Sequence, residues 1–160
     1  MSEVSYRPVW LAADTADQVA AMKFWRDHDL VAGARDLSAR AAQLCVLAMA
    51  GGEVLGVSTA RIRPIELMKR RFAIFRCAVA PDWRRQGVAA ELAVRSRQVL
   101  EPWALANPDQ DVQGMACLVI GEELKAKQTE PIWPRSGLAL VGYDTSGNQL
   151  RVAWFATAMV

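Results

Sequence analysis

Residues 75–100 read FRCAVAPDWRRQGVAAELAVRSRQVL. Phe72 to Ala80 is apolar apart from Arg76, and a short apolar run bounded by turn signals predicts a buried strand. Pro81 ends it, because proline has no N–H for a sheet ladder. Asp82 and Trp83 continue the turn. From Val88 the spacing becomes helical. Ala89, Leu92, Val99 and Leu100 fall near one face, and Glu91, Arg95 and Gln98 fall mostly elsewhere. Pro102 and the cluster Asn107-Pro108-Asp109 are expected to end the helix.

A strand that feeds a helix through a tight turn leaves the first helical N–H groups without partners. The helix dipole adds partial positive charge at the same place, so an anion is the natural guest. In the turn Arg84-Arg85-Gln86-Gly87-Val88-Ala89, Gly87 can take dihedrals closed to other residues. Val88 and Ala89 are too small to block the amides, and Arg84 and Arg85 add full charges. The chemical specification is a pyrophosphate-sized anion held mainly by backbone amides. Regional charge agrees with it: residues 61–97 hold ten Lys/Arg against three Asp/Glu, and the remainder holds nine against fourteen.

The segment VAPDWRRQGVAAEL resembles the cofactor-binding segment of the GNAT superfamily, the acyl-CoA-dependent N-acyltransferases. The family signature at a strand–helix junction is Gln/Arg-x-x-Gly-x-Gly/Ala. Arg84, Gly87 and Ala89 match it position by position, and Val79, Pro81 and Leu92 stand where the family commonly has them. The motif covers about a sixth of the chain. The resemblance implies acetyl-CoA as co-substrate and direct transfer of its acyl group to an amine. It implies that the backbone amides of Arg84, Arg85, Gln86, Gly87, Val88 and Ala89 cradle the pyrophosphate. Cys77, Ala78 and Val79 would pair with the pantetheine arm as an added strand does, and an N–H near Val79 would steady the oxyanion.

The 160 residues, 52% of them hydrophobic, suit one domain over 1–160 with a substantial core. The longest charge-free apolar run, 41–52, contains Gln43 and falls short of the ~18–20 residues that span a membrane. The start, MSEVSYRPVW, lacks the basic and apolar regions of a signal peptide. Cys45, Cys77 and Cys117 are odd in number and lie in apolar segments, which suits reduced, buried thiols in a cytoplasmic protein. No metal site is expected, since His28 is the only histidine and no Cys-x-x-Cys spacing occurs. His28 reads as a cap or surface residue, or else as a catalytic one. A net charge of +2 does not argue for nucleic acid. The expected partner is an amine substrate, small molecule or protein, with neither nucleic acid nor membrane; a homodimer stays open.

Outside the central stretch, Tyr6–Leu11 reads as a strand, followed by a helix with Asp14 as N-cap that runs to about Trp25 or His28. Val19, Met22 and Trp25, widened by Phe24, make its apolar face. Gly33 breaks the pattern and residues 36–42 form a short second helix. Leu44–Ala50 and Val54–Ile62, joined by Gly51-Gly52, read as a hairpin. Pro64 to Arg71, PIELMKRR, is a connection: either a solvated basic loop or a lip that meets substrate or the cofactor's outer phosphate. Val112–Ile120 is a strand, Gly121-Glu122-Glu123 opens a short helix, and Gly137–Tyr143 and Leu150–Met159 form a final hairpin about residues 144–148. The order matches the α/β (α+β) GNAT fold: a mixed, mostly antiparallel sheet of about seven strands, helices on both faces, and splayed fourth and fifth strands.

The proton chemistry departs from the family pattern. Many members carry a Tyr in the helix after the fifth strand; GEELKAKQTEPIWPRSG has none. Some carry a Glu on the fourth strand, and Phe72–Ala80 contains no acid. The family's common Asn after the fifth strand is also missing. Tyr143 reads as a proton donor to the leaving thiol or as a core residue with its hydroxyl on a backbone group. Glu66 reads as a base acting through water or as a solvated acid. Glu122 and Glu123 read as helix-start acids, and Cys117 as core. Two functions follow: an N-acetyltransferase, or a CoA-binding sensor or interaction module with little catalysis.

Overall fold

The computed structural model describes residues 3–31, 36–120 and 129–156. The strands are β1 (Ser5–Pro8), β2 (Leu44–Ala50), β3 (Glu53–Ile65), β4 (Arg70–Val79), β5 (Val112–Val119), β6 (Ala139–Tyr143) and β7 (Gln149–Trp154). The helices are α1 (Thr15–Asp27), α2 (Leu37–Ala41) and α3 (Val88–Ala106), with short 3-10 turns at Pro81–Trp83 and Pro108–Gln110. The seven strands form one sheet in the order β1-β2-β3-β4-β5-β7-β6. The β1/β2, β2/β3, β5/β7 and β6/β7 pairs are antiparallel, and β4/β5 is parallel. The β4/β5 ladder pairs Arg71 with Val112, Ala73 with Met115 and Ile74 with Ala116, and stops there. β4 runs on to Val79, while β5 stays paired with β7 out to Val119. This is the parting of the fourth and fifth strands that the family resemblance implies.

The chain divides into two compact units, Met1–Ala60 with Arg76–Val99 and Arg61–Phe75 with Leu100–Val160. In the first, strand alternation puts a helix on each face of the sheet. Leu47 and its partner Val57 join Phe24 and Trp25 of α1 in one buried cluster. The next pair, Ala48 with Gly56, faces the other way. A methyl group at Gly56 would lie 3.3 Å from Ala48 and from Val88 and Leu92 of α3. Ser58 turns to the same face. Its hydroxyl accepts the Val46 N–H at 3.0 Å and meets Ser96 of α3 at 2.8 Å, satisfying the backbone where the β2/β3 register shifts.

In the second unit, Phe72, Ala116 and Val152 form the buried cluster, and Trp154 meets Phe72 edge-on at 5.3 Å. Arg151 is fully buried on the opposite side of β7 from Val152. It donates to Gln149 Oε1 (3.1 Å) and to the carbonyls of Leu138 (3.2 Å) and Glu130 (2.7 Å), and it lies 4.4 Å from the Trp133 ring centroid. Loss of solvation pulls its pKa below the ordinary arginine value, against the opposing pull of Cys117, Glu130 and Tyr143.

Several sequence expectations need correction. The apolar face of α1 is turned. Val19 is 54% exposed, and Asp17, Ala21, Phe24 and Trp25 face inward. Asp17 faces in because it completes a capping box with Asp14 and pairs with Arg7 of β1. In α3 the buried positions are Val88, Leu92, Ala93, Ser96, Leu100 and Ala104; Ala89 is exposed. Pro102 lies inside α3 and does not end it. The carbonyl it leaves without a helical donor belongs to Gln98, which is exposed and can be hydrated. PIELMKRR is not one connection, because β3 extends to Ile65 and β4 begins at Arg70. The first strand ends at Pro8, β5 at Val119, and β6 begins at Ala139. The last strand ends at Trp154, short of the expected Met159. Gly33 and the helix expected at Gly121-Glu122-Glu123 lie outside the described residues. Among the described residues no helix is long and apolar enough to cross a membrane.

Candidate functional site

The end of β4, the turn after it and the start of α3 all belong to the first unit. The Pro81–Trp83 turn closes with Trp83 N–H on the Ala80 carbonyl (2.9 Å) and Arg84 N–H on the Pro81 carbonyl (3.3 Å). Trp83 packs against the α1 cluster and so fixes the chain's exit from the strand. Arg85 and Gly87 then adopt positive φ, 62° and 82°. A backbone curled in this way turns successive N–H groups toward one concavity. The first carbonyl to accept a bond from α3 is that of Gly87, from Glu91 N–H at 3.0 Å. Among the described residues the amides of 86–90 make no hydrogen bond of ordinary length and angle to the backbone. No side chain stands in their way: a methyl on Gly87 would meet nothing within 4 Å, and Ala89 and Ala90 are small and exposed. Val88 contributes only its amide, because its side chain is buried against Gly56.

The charges around the turn suit an anion. Arg84 and Arg85 are exposed, and the one acid in the first turn of α3, Glu91, is paired with Arg95 at 2.7 Å. That pairing blunts the repulsion Glu91 would exert on a guest at the helix N-terminus. The Arg84 side chain reaches back to the strand, its Nε donating to the Val79 carbonyl at 3.2 Å. Gln86 Nε2 likewise donates to the Asp82 carbonyl at 2.9 Å. Both ties hold the turn in shape.

The strand end has a defined polarity. Ala80 N–H donates to the Leu55 carbonyl of β3 at 2.8 Å. Alternation therefore turns the backbone groups of Ala78 toward β3 and those of Cys77 and Val79 toward the other edge. Ala80 N–H is thus committed, and Cys77 and Val79 are the residues whose main chain faces away from β3. The Cys77 thiol is pushed up to about 11 by burial, so it is neutral near pH 7 and not a nucleophile. Cys45 is also pushed up to about 11 by burial, partly opposed by Ser96 and Ser58.

The two side chains expected to move protons lie in the second unit. Tyr143 ends β6 opposite Gln149 and is 60% exposed, which removes the reading of it as a core residue. Glu66 is exposed and opens the turn between β3 and β4. Sequence reasoning missed the Arg84 clasp, the left-handed Arg85 and the Arg151 cluster. For Arg151 a signal exists, a lone cation inside the apolar run of a predicted strand. For the other two no local pattern announces the geometry.

Residues 5–106 match the model of the acetyltransferase (GNAT) family. No curated protein matches by sequence. Many solved structures share the fold. A GNAT-family acetyltransferase from Streptococcus pneumoniae is 13% identical with a TM-score of 0.59, the match covering 96% of this chain and 100% of that one. A GNAT-family acetyltransferase from Brucella melitensis, in complex with acetyl-CoA, is 11% identical with a TM-score of 0.52, covering 100% and 93%. A mutant of the AtaT toxin bound to the C-terminus of the antitoxin AtaR is 13% identical with a TM-score of 0.59, covering 94% and 92%. Identities this low speak for the fold.

Proposed function

Because this chain belongs to the acetyltransferase (GNAT) family, and is an acyltransferase by that membership, we propose that it moves an acetyl group from acetyl-CoA to an amine of a small molecule or a protein. The observation that carries the reading is the row of open amides at residues 86–90, at the positive end of α3, which no side chain caps among the described residues. A diphosphate has the size and charge to take several of these donors together. The turn fits the nucleotide end of the cofactor, since space above Gly87 is open and Arg84 and Arg85 flank it.

When bound, acetyl-CoA supplies an acyl carbon activated as a thioester. The chain's own part is binding, orientation and proton handling. Residues 86–90 bind the diphosphate, with Arg85 adding full charge. Arg84 holds the turn to β4. Cys77, and Val79 through its N–H, offer main-chain groups along an edge where β4 carries no paired strand, as an extended pantetheine arm requires. Holding the thioester beside the amine supplies most of the acceleration through proximity. An alkyl ammonium has a pKa of roughly 10 and must lose a proton before it attacks. Tyr143 and Glu66 are the side chains we assign to proton transfer, each open to water that can relay it. None of the three cysteines is disulfide-bonded, which supports a reducing, cytoplasmic setting.

The test is titration calorimetry with acetyl-CoA, followed by CoA release against a panel of polyamines, aminoglycosides, amino acids and lysine peptides. Saturable binding and turnover on one class are expected. Tight binding with no turnover on any amine would leave a CoA-binding module, and no binding at all would end the reading.

A further inference from the structure

Apart from Glu66, the hairpin that joins β3 to β4 takes no part in the reading above. Residues 61–71 carry Arg61, Arg63, Lys69, Arg70 and Arg71 against a single acid, Glu66. Arg61, Arg63, Lys69 and Arg70 are exposed, and among the described residues none of these four is ion-paired. The hairpin is nevertheless firmly built. Met68 and Lys69 both donate to the Ile65 carbonyl, at 3.0 and 2.8 Å, and Ile65 and Met68 pack on Phe72, Ala116 and Val152. Like charges gathered on a fixed surface repel one another, so the arrangement invites a counter-charge from outside.

Its geometry narrows what that partner is. Arg61 and Arg63 share one face of β3 at a repeat of about 6.6–6.8 Å. An extended peptide presents alternate side chains at the same repeat. The pairing of β2 with β3 ends at Thr59 and at Ala60, whose N–H donates to Gln43. Alternation then turns Ile62 and Pro64 to the same edge, and Pro64 has no N–H to give. The edge is therefore poor in main-chain donors, and side-chain charge must hold the guest. Proline and like charges also oppose pairing with a second copy of the chain. No Phe, Tyr or Trp stands between Arg61 and Arg71, so unpaired bases have no platform to stack on among these residues. Arginine forks match carboxylates two bonds at a time.

We propose that the 61–71 hairpin is a docking surface for an extended, acidic polypeptide segment, with alternate carboxylates on Arg61 and Arg63 and further ones on Lys69 and Arg70. The cations that form this surface are not among the residues assigned to acetyl transfer.

The test is fluorescence anisotropy of the whole protein with a dye-labelled alternating Glu–Ser peptide of about a dozen residues. Binding is expected at about 20 mM ionic strength, weakening about tenfold toward about 200 mM as screening shortens the reach of exposed charges. The double variant Arg61→Glu/Arg63→Glu should lose about tenfold or more in affinity with an unchanged melting temperature, since both side chains are exposed. Lys69→Ser/Arg70→Ser repeats the test should the first variant fail to fold. Arg26→Glu, at an exposed site on α1, should bind like wild type. Gly87→Asp should also bind the peptide normally, which separates this surface from the cofactor site. The proposal is overturned by absence of peptide binding at low salt, by unaltered affinity in both hairpin variants, or by tighter binding of single-stranded RNA or duplex DNA of equal charge.

Discussion

Helices α1 and α3 begin with the same electrostatic problem and solve it differently. At α1 the carboxylate of Asp14 accepts the Asp17 N–H at 2.8 Å, and Asp17 returns the bond to the Asp14 N–H at 3.1 Å. At α2 the Asp36 carboxylate takes two amides, those of Ser38 and Ala39, at 3.1 Å each. At α3 the residue in the cap position is Gly87, with no side chain, and the amides of 86–90 stay open. All three ends are made of the same donors. What separates a structural helix start from a binding one is whether the chain brings its own acceptor. A glycine in a left-handed turn does not decide it, for Gly147 has a φ of 80° in a turn whose amides bond to Asp144.

The sharpest way to break this contrast is to give α3 an acceptor of its own. Gly87→Asp should weaken acetyl-CoA binding by about a hundredfold or more, roughly 2.7 kcal/mol, by calorimetry. Its stability should change far less, because a cap contributes about 1 kcal/mol and the left-handed backbone takes back about as much. Wild-type affinity in this variant would mean that the cofactor lies elsewhere.

The opposite operation is performed at α1. Burial raises the Asp17 pKa, but Arg7 and the Asp14 amide outweigh it, and the net position is below the ordinary carboxylate value. A depressed folded-state pKa gives stability that is full above the unfolded pKa of about 3.9 and is lost as pH falls through the lower folded value. Asp17→Asn should therefore destabilise the protein by about 1.5–3 kcal/mol near pH 7. It should also flatten the acid limb of melting temperature against pH below about pH 4. An unchanged limb would show that Arg7 does not hold the carboxylate.

Asp14→Ala should cost about 1 kcal/mol in urea denaturation and leave acetyl-CoA affinity untouched. A fall in affinity would blur the line between the two helix starts. The smallest effect is expected from Tyr143→Phe, about threefold in kcat with binding intact, because water reaches this exposed position and can replace the hydroxyl. A collapse of kcat would instead make Tyr143 the proton donor.

These contrasts also explain what a sequence reader can and cannot see. Asp14 as a cap, the Gly51-Gly52 hairpin and the strand–turn–helix around Gly87 are legible because each depends on neighbours within a few residues. Turn chemistry and periodicity are local signals. The inward turn of Asp17 is hidden, since it depends on Arg7, ten residues away on β1. The Arg84 clasp depends on the path of the intervening 3-10 turn, and a guanidinium five residues from its acceptor leaves no periodic trace. Pro102 reads as a stop, but α3 continues through it where Gln98 is open to solvent. The proton-handling groups are the least legible, because an acid or base is defined by what surrounds it.

Gly56 lies on a strand about thirty residues before the turn at 84–87, outside any motif. Yet the first turn of α3 rests on it, with Val88 and Leu92 as close as a methyl group there would allow. An added methyl there would lie 3.3 Å from side-chain atoms of Ala48, Val88 and Leu92, so these must give by a few tenths of an ångström beneath the first turns of α3. On the proposed reading, drift at this buried spot would register as weaker cofactor binding with every ligand-facing residue intact.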